Sequence, residues 1–160
     1  MATCRTRCWT LVVALLASGC NPSPSDDPVV LVAEDDAEMD QAIADARARL
    51  SEFWTLHENT PAGVSDLSLK VEISDASGTE FFWAGDIQKR DGKIFGTINN
   101  DPNIVKSVKL GQEIEIPEDK IADWMYVKDE KMHGNFTMGP LLKTLPKEQA
   151  DELRSRWVQP

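Results

Sequence analysis

What the chain lacks narrows its chemistry early. Cysteine stops at Cys20, with Cys4 and Cys8 before it, so 140 of the 160 residues contain no thiol. That long stretch has no disulfide, no thiolate nucleophile and no cysteine metal site of its own. Histidine is also scarce: His57 and His133 are the full complement. No H-E-x-x-H, G-x-S-x-G or S-x-x-K pattern occurs, the acids show no calcium-loop spacing, and the scattered glycines form no phosphate cradle before a helix. Positive charge is short as well, with 17 Lys and Arg against 27 Asp and Glu. Nucleic-acid binding depends on neutralising phosphates with Lys and Arg, so a nucleic-acid partner is not expected. No metal, no cofactor and no catalytic residue is assigned.

The N-terminus is of a different character. MATCRTRCWT carries Arg5 and Arg7 and no acid, and it leads into the apolar TLVVALLA and then SGC. This is a charged region followed by a hydrophobic run too short for a membrane span, then small residues. Ala17-Ser18-Gly19-Cys20 resembles the lipobox of a bacterial lipoprotein signal, with Ala17 where Leu is commoner. The resemblance implies a signal peptide at 1–19, acylation of Cys20, and a protein anchored to a membrane rather than spanning it. Asn21 follows the cysteine where inner-membrane retention uses Asp, which directs the expectation to the periplasmic face of the outer membrane in a Gram-negative cell. Loss of residues 1–19 removes two arginines and no acid, moving the formal charge from −10 to −12.

Residues 20–33 read as the lipidated cysteine and a tether: NPSPSDDP is polar and proline-rich, and VVLV, Val29 to Val32, is a short strand candidate. In EDDAEMDQAIADARARLSEFWTLHE the residues Met39, Ile43, Ala46, Leu50 and Phe53 recur at spacings of four and three, the mark of one amphipathic helix. Asp35 and Glu38 supply a capping-box-like start. LSLKVEIS alternates cleanly, placing Leu67, Leu69, Val71 and Ile73 on one side of a half-buried strand. DASG turns the chain into TEFFWAGDIQK, and Asp91-Gly92 predicts a hairpin into IFGTIN. VKSVKLGQ suggests a turn of helix, QEIEIP a strand, and IADWMYV with MHGNF a hairpin closed by KDEK. Short helices over TMGPLLKTL and PKEQADELRSRW end the chain. The expected fold is α+β: an N-terminal amphipathic helix packed on an antiparallel sheet or half-barrel of five to six strands, with a domain at 34–146 and a helical tail at 147–160.

Taken in order, EDDAEMDQAIADARARLSEFW, SLKVEISD, FFWAGDI, DGKIFGTINNDP, VKLGQEIEI and IADWMYVKDEKMHGNFT resemble the uncharacterised bacterial family called domain of unknown function 2314, the YegJ-like proteins. The resemblance covers about Glu34 to Leu145. It carries no catalytic residues. Because many members are small exported lipoproteins and others are soluble or joined to other domains, it implies a portable binding module.

The candidate surface comes from aromatics beside acids. Trp83 and Trp124 occupy similar contexts, FFWAGDI and IADWMYV, near Asp86 and Asp123, and Tyr126 shares a face with Trp124. In one register Met125 and Val127 point inward and the two aromatics form a contact centre for a protein or peptide; in the other the aromatics are core. Asp86 and Asp123 also define the alternative, a carboxylate-dependent hydrolase of envelope glycans or peptides. His133 is read as a hairpin residue and His57 as solvent-facing.

Overall fold

The computed structural model describes residues 36–160. The signal at 1–19, Cys20, the tether and the Val29–Val32 strand all lie outside the described residues, as does Asp35.

Two helices open the described chain, α1 (Ala37–Ala48) and α2 (Leu50–Glu58). Asp36 caps α1: its Oδ1 accepts from the N–H groups of Glu38 at 2.9 Å and Met39 at 3.3 Å, satisfying donors that the first turn leaves open. The expected single helix breaks at Arg49, which has φ −105° and ψ 10° and shares its N–H among carbonyls of the last turn. Its guanidinium is held by Glu52 through two bonds of 2.7 and 2.9 Å and lies 5.2 Å from the Phe136 ring centre. The apolar stripe survives the break, with Ala42, Ala46, Leu50 and Phe53 buried.

Seven strands follow: β1 (Val64–Asp75), β2 (Gly78–Arg90), β3 (Lys93–Ile98), β4 (Glu113–Ile116), β5 (Ile121–Lys128), β6 (Lys131–Gly134) and β7 (Trp157–Val158). They form one sheet in the order β4-β3-β2-β1-β5-β6-β7. Between β6 and β7 come α3 (Met138–Thr144) and α4 (Lys147–Arg156). The class is roughly α+β, but the expected architecture is corrected in three respects. Among the described residues the sheet has seven strands instead of five or six, it is mixed because β7 runs parallel to β6, and no single N-terminal helix covers it. β7 was not foreseen because a two-residue strand has no periodicity of its own. It exists through pairing with Met132 and His133 and through the Trp157 indole, which donates to the Gly134 carbonyl at 2.8 Å.

Turn chemistry explains the hairpins. Asp91 and Gly92 both adopt positive φ, 51° and 76°, as a two-residue turn between twisted strands requires. Asp129 and Glu130 do the same between β5 and β6. VKSVKLGQ forms no helix; residues 99–112 make an irregular connection instead. The main core joins Ala46, Leu50 and Phe53 to Leu69, Val71, Ala84, Ile121 and Trp124, and a second small core holds Phe82, Ile98 and Val105.

Candidate functional site

Strand pairing decides which side chains share a face. Leu69 lies opposite both Ala84 and Trp124, so these three point toward the helices. Trp124 is 3% exposed, and its indole donates to the Ala46 carbonyl at 2.9 Å, satisfying the one polar atom it buries. Around it stand Phe136 at 5.5 Å, Phe53 at 6.2 Å and Tyr126 at 6.4 Å between ring centres. Tyr126 is half-buried and stacks in turn on His133 at 4.9 Å. The register is therefore the one that makes Trp124 core, and the expected exposed Trp124–Tyr126 centre does not form.

Lys70 lies opposite both Trp83 and Asp123, and Glu72 opposite Phe81, so these five belong to the other face. Phe81 is 40% exposed, whereas Trp83, Lys70, Glu72 and, on β3, Phe95 are half-buried. The Lys70 ammonium is 5.6 Å from the Trp83 ring centre and 5.9 Å from that of Phe81, and it donates to the Thr137 hydroxyl at 2.9 Å. Lys120 and Glu72 pair at 2.7 Å, and the Arg90 guanidinium sits 3.9 Å from the Phe95 ring centre. The face is thus an aromatic strip bordered by charges of both signs, carried on rigid strands.

Asp123 has no exposure at all. Its carboxylate accepts from the N–H groups of Trp124 at 2.7 Å, Phe136 at 3.1 Å and Thr137 at 2.8 Å, and from the Thr137 hydroxyl at 2.7 Å. Burial pushes its pKa up, while the Thr137 and Trp124 bonds and the Lys70 charge pull the other way; the net direction is upward. The residue ties β5 to the start of α3, and a substrate has no path to it.

Asp86 is elsewhere. The β1–β2 ladder ends at Leu69–Ala84, where both strands bulge, Asp66 with φ 53° and Asp86 with φ 49°. The gap is a hollow of about 300 Å³ lined by His57, Asp66, Ser68, Asp86 and Asn99. Asp86 is exposed there and Asp123 lines none of it, so the two acids do not face a common cleft. His57, expected in solvent, is half-buried with Nε2 2.7 Å from the Ile87 carbonyl. Among the described residues no three of His, Cys, Asp or Glu are grouped to hold a metal ion.

Of the five expected surface residues, the structure keeps Trp83 on the aromatic strip. Phe81, Lys70 and Phe95 were missed there. A signal existed: Phe81 and Trp83 are two apart on one strand and must share a face, and Lys70 stands on the polar side of the alternating LSLKVEIS.

Comparison with known proteins places the chain among bacterial relatives of undefined activity. It is 39% identical over 137 residues to the uncharacterized protein YegJ of Escherichia coli strain K12, covering 86% of this chain and 88% of that one. It is also 27% identical over 140 residues to a putative ankyrin repeat protein of Neisseria meningitidis serogroup B, covering 82% of this chain and 55% of the relative. No solved structure matches. Residues 36–158 match the family described as uncharacterized protein conserved in bacteria, DUF2314, and the chain belongs to that family.

Proposed function

We propose that the protein is a lipid-anchored component of the bacterial envelope that binds a protein or peptide partner through the sheet face opposite α1 and α2, without catalysing a reaction. The observation that carries this reading is Phe81, 40% exposed beside Trp83 and Lys70 on a regular strand. Large aromatics at the centre of a patch with a charged rim dominate the energetics of protein contacts, and strands hold them at little entropic cost. The lipobox-like Ala17-Ser18-Gly19-Cys20 supports the anchor. Among the described residues no helix is long and apolar enough to cross a membrane. Ankyrin repeats present extended binding surfaces, so the likeness to a protein named for them favours interaction over catalysis as the setting.

The test begins with a photo-crosslinker at position 81 of the full chain in envelope preparations, followed by titration of the recovered protein, purified, against wild type and variants. Phe81→Ala with Trp83→Ala is expected to weaken binding by at least about tenfold, roughly 1.4 kcal/mol, while the Glu58→Ala control on α2 binds as wild type. Equal affinity for all three rules out this face. The mass of the mature N-terminus checks the anchor separately: an unmodified Cys20 removes it.

A further inference from the structure

The connection from β3 to β4 carries an arrangement that ordinary loops do not. Five successive backbone N–H groups, from Asn103 to Ser107, all donate to carboxylates of the β1–β2 hairpin. Glu80 receives Asn103 at 3.1 Å, Ile104 at 3.0 Å and Val105 at 3.2 Å, with the Asn103 side-chain amide at 3.4 Å. Asp75 receives Lys106 at 2.6 Å and Ser107 at 2.9 Å on one oxygen, and Ser77 of its own turn at 2.7 Å on the other. Without these acceptors the segment's N–H groups would lose their partners together, because it forms neither helix nor ladder.

Beneath the segment lies the second core. Val105 is fully buried against Phe82 and Ile98. Ile104 packs so closely on Gly78 that a Cβ there would come within 2.8 Å of its side chain. At its root the loop is bonded to β2, where Asn99 donates to the Trp83 carbonyl and the Trp83 N–H donates to Asn100 Oδ1, both at 2.9 Å.

We propose that residues 103–107 form an acid-released flap, in which protonation of Glu80 and Asp75 frees the segment and uncovers the apolar surface of Phe82 and Ile98 while the sheet stays folded. A carboxylate accepts charge-assisted bonds from several N–H groups; once neutral, it presents a weaker acceptor and a donor of its own to the same N–H groups. One proton therefore weakens a whole set of contacts at once. At the hairpin end, residues 74–80, and in the segment with its approach, residues 101–107, the charged side chains are Asp75, Glu80, Asp101 and Lys106; the Lys106 ammonium turns to the Asn103 carbonyl at 3.3 Å. Burial alone would raise the pKa of Glu80, but the N–H bonds from Ile104, Asn103 and Val105 outweigh it and hold the group below its usual value. The bonds from Lys106 and Ser77 likewise lower Asp75. The contribution of both groups is thus complete at neutral pH and is lost as pH falls through their lowered values, beneath the ordinary carboxylate range of about 4.

Hydrogen exchange of the full chain, expressed as protection relative to intrinsic rates between pH 7 and pH 3, tests this. The amides of 103–107 are expected to lose at least tenfold in protection at a pH where those of Leu69 and Val71 keep theirs. Glu80→Gln is expected to show the loss already at pH 7. Should Glu80→Gln fail to fold, Asp75→Asn at the hairpin end gives the same reading at Lys106 and Ser107. Loop and strand amides that fall together with pH, or loop protection unchanged at pH 7 in a folded variant, would overturn the flap.

Discussion

The two faces of the sheet use similar residues for opposite ends. Toward the helices, Trp124 is sealed by Phe53, Phe136 and Tyr126, and its polar atom is spent on Ala46. On the other side, Phe81 and Trp83 keep part of their surface in solvent, with Lys70 and Glu72 beside them. An aromatic in the first setting contributes to stability and has nothing left to offer a partner. In the second it contributes little to folding and retains its area for binding.

Trp124→Ala should show the largest effect, a loss of about 3–5 kcal/mol in denaturant unfolding, since it removes buried area and leaves a cavity in the main core. Phe81→Ala should cost less than about 1 kcal/mol in the same assay. Comparable losses for the two would erase the distinction between the faces.

Asp123→Ala ranks next, at roughly 3 kcal/mol, because it orphans the buried N–H groups of Phe136 and Thr137. Its pH trend has the opposite sign to that of Glu80 and Asp75. A carboxyl with a raised folded pKa contributes most below its ordinary pKa, and that contribution is lost as pH rises through the raised value. The stability difference between wild type and Asp123→Asn should accordingly shrink from pH 4 to pH 7. A widening difference would contradict the upward shift.

A smaller pair sharpens the same contrast at glycines. Gly134 has φ 74°, and a Cβ there would lie 2.5 Å from the Trp124 carbonyl oxygen, so Gly134→Ala should cost about 2 kcal/mol or more in thermal unfolding. Gly92 has φ 76° with open space around it, and Gly92→Ala should cost about 1 kcal/mol, from backbone conformation alone. Equal costs would mean that the close approach of β6 to Trp124 yields freely.

Much of the local structure was legible because its causes are local. The alternation of LSLKVEIS produced β1, Asp91-Gly92 produced its turn, and the stripe through Ala46, Leu50 and Phe53 produced a buried helical face. The helix break at Arg49 was not legible, since the stripe runs through it unchanged. VKSVKLGQ, Val105 to Gln112, does not form its expected turn of helix because the acceptors of its first three N–H groups, Glu80 and Asp75, lie more than twenty residues away in the chain.

The candidate site shows the same divide. By itself the sequence determined that the chain beyond Cys20 has no thiol, that Trp124 and Tyr126 share a parity, and that Phe81 shares one with Trp83. It did not determine which parity points inward on β5, because the aromatics Trp124 and Tyr126 stand on one and the apolar Ile121, Met125 and Val127 on the other, so either register buries an apolar set. Only the tertiary structure decided that, by placing Leu69 opposite Trp124 and Lys70 opposite Asp123. Shifting β5 by one residue would exchange every side chain between the two faces, and the choice belongs to the pairing with β1, not to β5 alone.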